Sequence, residues 1–307
     1  MTPSAEPVPL QTEQFSIRGA ETSFSQPKAA SSKVSSSRDM TFSPRWGTFC
    51  WLPRLLPPEP TTQPPTTVPP TTEIPTEPTL PPPEASPYTF TDFQYNGRYL
   101  TCLATETLLG LDVSAHQEEI DWQAVAAAGF EFVMIRVGYR GYETGLLQAD
   151  AYAQANYAGA KAAGLKVGAY MFSQAISRKE AMEEARFALE QIRGWELDLP
   201  LVYDWERVKA GTRTDGVDAR TVTDCALGFC ALVEAVGKES MVYFNPHHGK
   251  NYFYLHELEE YPFWLAYYTD KMDYPYKFEM WQYTDSGNVP GIEGGADINI
   301  MLLPWEA

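Results

Sequence analysis

The sequence predicts a single α/β barrel domain, and three observations carry that prediction. Apolar runs bounded by turn residues alternate with helical stretches, the runs number seven, and the alternation occupies about 220 residues that follow a proline-rich segment. With seven or eight strands in one domain, a closed or nearly closed barrel fits better than an open sheet, and its chemistry belongs at the C-terminal ends of the strands.

In chain order, residues 1–40 are polar and Ser-rich, and the apolar piece Trp46–Leu56 is interrupted by Pro53 and Arg54. Residues 1–56 are expected to be a disordered N-terminal segment. Residues 57–87 hold 13 of the chain's 25 prolines and 8 threonines. Proline fixes φ and removes a backbone donor, so this stretch is expected to be an extended linker rich in polyproline II. The folding domain is expected over 88–307. Its predicted strands are Leu108–Val113, Phe132–Val137, Lys166–Phe172, Leu199–Trp205, Ser240–Asn245, Phe263–Tyr267 and Glu279–Tyr283. Between them the helical stretches are Trp122–Ala128, Ala149–Ala163, Arg178–Ile192 and Ala219–Val236. Gly129, Gly164, Gly194 and Gly237 each follow a helical stretch, as C-cap glycines do. Ser177 with Glu180 three residues on reads as a capping box. The strand–helix alternation implies a parallel sheet covered by helices.

The net charge of -17 is concentrated in the domain: residues 1–87 carry 6 basic and 8 acidic side chains, residues 88–307 carry 17 and 32. Phosphate backbones would be repelled, so nucleic acid is not an expected partner. Cys50, Cys102, Cys225 and Cys230 form no C-x-x-C pair, and His116, His247, His248 and His256 have no ligand spacing, so no metal and no cofactor are expected. Buried free thiols are the better reading of the cysteines, with a disulfide from Cys102 left open.

The run Leu199-Pro-Leu-Val-Tyr-Asp204-Trp-Glu206 is the most informative in the chain. Acids at i and i+2 of a strand leave the same face, and two carboxylates crowded at a barrel mouth raise the pKa of one of them. A protonated carboxyl beside an ionised one is what glycosidic cleavage requires. Taken alone, the pair fits equally well a strand that ends in solvated acids before Arg207. Asp112 also ends an apolar run, although it could simply cap the loop leading to Trp122, and Asp297 is read as a third strand-end acid, with an Asx-turn as its plainer role. Tyr139, Tyr170, Tyr243, Trp264, Tyr267, Trp281 and Tyr283 lie on or just beyond the strands. They are expected to divide between sugar stacking and core packing, with Asn245 and Gln282 as partners for sugar hydroxyls.

These pieces, taken in order, resemble the lysozyme-like muramidases of glycoside hydrolase family 25. The matching segments are Asp112-Val-Ser114-Ala-His-Gln117, Asp204-Trp-Glu206, Phe263-Trp-Leu-Ala-Tyr267, Trp281-Gln-Tyr-Thr284 and Asp297-Ile-Asn299, spread over residues 108 to 305. The resemblance implies a flattened, incomplete (β/α) barrel of TIM-like type. The implied activity is hydrolysis of the β-1,4 bond from N-acetylmuramic acid to N-acetylglucosamine. Glu206 is then the general acid, and Asp204 supports the positive charge at the reacting carbon or positions the substrate's own acetamido group. Asp112 and Asp297 complete the acidic cluster. The implied partner is the peptidoglycan glycan strand, with no obligate protein partner, a monomeric state and an extracellular or cell-wall location, although residues 1–40 lack the apolar run of an export signal. The alternative functions are a non-catalytic carbohydrate-binding module on the same barrel and a hydrolase of another acetamido-sugar polymer such as chitin.

Overall fold

The computed structural model describes residues 81–304, so the expected N-terminal segment, Cys50 and most of the linker lie outside the described residues. The chain first forms a hairpin, β1 (Phe93–Asn96) and β2 (Tyr99–Cys102), turning at Gly97, where φ is +68°. Then follow β3 (Thr107–Val113), α1 (Trp122–Ala127), β4 (Phe132–Arg140), β5 (Leu147–Ala149), α2 (Ala153–Ala162) and β6 (Lys166–Ser173). After these come α3 (Arg178–Gln191), β7 (Leu201–Trp205), α4 (Ala219–Glu234), β8 (Ser240–Phe244), α5 (Pro246–Asn251), β9 (Phe263–Ala266), β10 (Met280–Gly287) and β11 (Ala296–Leu302). Every predicted strand and helix is present, with ends shifted by a few residues. Local chemistry sets the helix starts: the Asp121, Ser177 and Asp218 side chains accept backbone N–H groups in the first turns of α1, α3 and α4. The expected capping box is only half made, because Glu180 takes the Ile176 N–H instead of that of Ser177.

Strands β3, β4, β6, β7, β8, β9 and β10 run parallel in that order, and β11 closes the cylinder by pairing antiparallel with both β10 and β3. The barrel is therefore closed and mixed. The expectation of a parallel sheet fails at β11 and at β5, which pairs antiparallel with β4, and the reading of Asp297 as a strand end fails with it. Asp297 stands near the start of β11, but reversed direction brings that start to the mouth where the parallel strands finish, opposite Asp112.

Alternation along each strand divides the interior in two. Phe132, Met134, Val202, Met241, Met280 and Met301 fill the lumen, whereas Val133, Ile135, Leu201, Tyr203, Val242 and Phe244 face the outer layer. Gly110 leaves the lumen room for the Phe132 ring, which a Cβ there would approach to 2.2 Å. Among the described residues no helix separates β9, β10 and β11, so their outer faces need another cover. The hairpin supplies it: Phe93 packs edge-on to Trp281 at 5.1 Å and on Phe278 at 6.3 Å, and buried Leu100 and Cys102 join the core.

Just before the hairpin, Glu84-Ala85-Ser86 pairs with the chain at 275–277 through Ser86 N–H to Pro275 and Lys277 N–H to Glu84. These are the first residues after the proline triplet 81–83 to carry consecutive backbone N–H groups, which explains why pairing begins within the stretch read as linker. Cys102, Cys225 and Cys230 are free and buried, and burial pushes the Cys225 and Cys230 thiols up to about 12.

Candidate active site

The C-terminal mouth holds a cavity of about 280 Å³ lined by the acids Asp112, Asp204, Glu206 and Asp297. Their carriers are the ends of β3 and β7, the residue after β7, and the start of β11. On β7, Val202 packs in the lumen and Asp204, two residues on, continues the same inward row to the rim at Glu206.

Asp112 is buried, and its Oδ2 accepts from Gln282 Nε2 at 2.7 Å and from Asn299 Nδ2 at 2.8 Å. The same Gln282 Nε2 reaches Asp297 Oδ2 at 3.2 Å. Tyr243 and Tyr268 hydroxyls donate to Gln282 Oε1 at 3.0 and 2.7 Å, and Trp264 Nε1 donates to Asn299 Oδ1 at 2.8 Å. The two amides thus receive their orientation from aromatic donors and direct their own N–H groups at the acids, which fixes which way each amide faces.

Burial pushes the Asp112 carboxyl well above the usual range, and the neighbouring Asp297 adds to the rise against the two amide bonds. Burial likewise raises Asp297 to about 6. Asp204 is raised well above its ordinary value by burial, then by Glu206 and Asp112, with Arg136 opposing. Glu206 is raised by burial and by Asp297. Four carboxyls in one small cavity cannot all ionise, so protons are retained there near neutrality. Asp204 Oδ1 is buried with no hydrogen-bond partner among the described residues. Arg136 lines the cavity, held by Asp150 at 2.8 Å.

Of the expected sugar-binding residues, Tyr170, Tyr243, Trp264 and Gln282 line this cavity. Tyr139 lines a separate cleft of about 640 Å³ that shares His116, Arg136 and Phe172 with it. Asn245 is occupied as the N-cap of α5, accepting from His248 N–H at 2.9 Å. The Tyr267 hydroxyl donates to Asp273 on the outside, and Trp281 packs outward against the hairpin with Nε1 on the Tyr267 carbonyl at 2.8 Å. Arg136, Phe172 and Tyr268 were not singled out from sequence. For Arg136 a signal existed: it interrupts the apolar run Phe132–Val137, two residues after Met134 and so on the same face.

A closed barrel that gathers four carboxyls with raised proton affinity at its C-terminal mouth is built as a glycoside hydrolase. The chain belongs to the glycosyl hydrolases family 25, whose sequence pattern matches residues 111–292, more than half of its length. Relatives include the YegX protein of Escherichia coli K12, 30% identical over 208 residues that cover 64% of this chain and 71% of that one. The autolytic lysozyme of Clostridium acetobutylicum is 29% identical over 191 residues, 62% of this chain and 54% of that one. Among solved structures, the bacterial lysozyme of Streptomyces coelicolor superposes with a TM-score of 0.52 at 25% identity, covering 62% of this chain and 90% of that chain.

Proposed function

We propose that this chain is a peptidoglycan hydrolase, a lysozyme that cleaves the β-1,4 bond between N-acetylmuramic acid and N-acetylglucosamine. The observation that carries the reading is the pair Asp204 and Glu206, leaving one face of β7 into a cavity shared with Asp112 and Asp297. Glu206 stands at the half-buried rim, where a scissile oxygen would arrive, and its raised proton affinity suits a general acid near neutral pH. Asp204 lies deeper and presents an unpartnered oxygen. That oxygen suits either the N–H of the substrate's acetamido group or the positive charge developing at the reacting carbon. Asp297, once ionised, raises the proton affinity of Glu206 and so keeps it from ionising early, while Asp112 receives the amide N–H groups of Gln282 and Asn299.

The polymer is the partner in this reading, no nucleic acid or obligate protein partner is needed, and one chain supplies the whole site. Action outside the cell or at the wall agrees with the lysozyme names of the relatives. The test is digestion of purified peptidoglycan, borohydride reduction and mass spectrometry of the new terminal sugar alcohol. Muramitol is expected, with release falling ~10²–10⁴-fold in Glu206→Gln at undiminished thermal stability. Glucosaminitol would refute the bond assignment, and full activity in Glu206→Gln would refute the acid.

A further inference from the structure

We propose that Gln174 is a positioning residue for Glu206: its side-chain amide grips the Glu206 backbone where β7 leaves the sheet, and so aims the Glu206 carboxyl into the cavity. The inference rests on the reading of Glu206 as the general acid.

The backbone ladder between β6 and β7 ends at Ser173 opposite Trp205, one residue short of Glu206. Beyond Glu206 the chain runs into the exposed stretch 207–211, so no sheet neighbour fixes the backbone that carries this side chain. Gln174 takes over at that point. Its Nε2 donates to the Glu206 carbonyl at 2.5 Å and to the Ser173 carbonyl at 3.0 Å, bridging the two strand ends as one further rung would. Trp205 Nε1 donates to the Ala175 carbonyl at 3.0 Å, a second stitch between the same two segments.

The clamp stands on a rigid base. Gln174 is fully buried, and its own N–H reaches Glu184 Oε1 at 3.4 Å. Glu184 accepts from Ser173 Oγ at 2.5 Å and from Arg140 Nε at 2.6 Å, while Arg140 also donates to the Gly145 and Glu180 carbonyls. Meanwhile Gln174 Oε1 is buried with no partner among the described residues. A buried amide with one end unsatisfied is poor for stability, and an apolar side chain of the same shape would serve packing better. What the apolar side chain lacks is the N–H that holds Glu206. Without that hold, the carboxyl swings toward water, loses part of its raised proton affinity and meets the scissile oxygen less often in line.

The test compares wild type, Gln174→Leu, Gln174→Glu and Glu206→Gln on soluble peptidoglycan fragments across pH. Gln174→Leu is expected to lower kcat about 10–100-fold with KM within about twofold. The basic limb of its kcat profile, set by the proton donor, should move to lower pH, a change that general loosening of the fold would not produce. Gln174→Glu keeps the shape and carries the test if the leucine variant does not fold. Its carboxylate repels the Glu206 carbonyl, but once protonated it donates an O–H, so its deficit against wild type should shrink as pH falls. Wild-type kcat with an unmoved basic limb in Gln174→Leu, or a raised KM at unchanged kcat, would overturn the proposal while an inactive Glu206→Gln left the acid assignment standing. Activity retained in Glu206→Gln would remove both.

Discussion

Neutralising Asp297 should stabilise the fold while impairing the site. Burial lifts its carboxyl from 3.8 to about 6, with Asp112 opposing the rise and Asp285 adding to it. The folded protein therefore holds this proton more tightly than the unfolded chain does. Stability from this group is full below about pH 4, is lost as pH rises through 6, and stays lost above. At about 1.4 kcal/mol per pH unit the interval corresponds to roughly 3 kcal/mol, reduced to about 2 kcal/mol because the group is only half-buried. The amide introduced by Asp297→Asn cannot ionise, and its carbonyl can still accept from Gln282, which lies 3.2 Å from the carboxylate in the wild type. The variant should thus be about 2 kcal/mol more stable than wild type at pH 8 and nearly equal to it at pH 4, with turnover lowered at both. Urea unfolding followed by tryptophan fluorescence at the two pH values measures the gap. A variant no more stable than wild type at pH 8, or a gap of the same size at pH 4, would refute the electrostatic account of the cluster.

Three further substitutions probe the frame around the acids. Trp281→Phe removes the indole N–H from the half-buried Tyr267 carbonyl and should cost ~1–2 kcal/mol in denaturant unfolding while KM stays at the wild-type value; a changed KM would place this ring in the cleft after all. Arg140→Met strands the buried Glu184, whose carboxyl burial already pushes up to about 7, and should cost ~3–5 kcal/mol. Because a raised acid withdraws stability as pH climbs, that loss should be greater at pH 8 than at pH 5, and equal losses would count against it. Gly110→Ala drives a methyl to 2.2 Å from the Phe132 ring and should cost ~1–3 kcal/mol. Adding Phe132→Leu should recover part of it in thermal melts, and purely additive losses would show that the two positions do not share space.

The strands and helices were legible because hydrophobic period and punctuation agree: Ser177 marks a helix start that the structure keeps, and Gly129, Gly164, Gly194 and Gly237 take positive φ just past helix ends. Asp112, Asp204 and Glu206 could be gathered from sequence because parallel strands bring their ends to one mouth. Asp297 reached the same mouth by the reverse direction of β11, which nothing local announces, since strand direction is settled by partners far away in the chain. The hairpin was passed over for a related reason. Its strands are only four residues each, and although Asn96-Gly97 is a turn signal, their purpose becomes visible only when β10 and β11 prove to lack helices. Among the aromatics, strand parity would have helped: if Gln282 points inward, Trp281 must point out. Asn245 was beyond such reasoning, because the turn into α5 takes its side chain for a cap.

The closing of the barrel by β11 also orders events in time. Asp112 lies early in the domain, yet the amides that hold it, Gln282 and Asn299, come 170 and 187 residues later. A nascent chain still lacking β11 has an open sheet and an acid cluster without Asp297. No molecule therefore owns the complete acid cluster until β11 has been made and has paired with both β10 and β3.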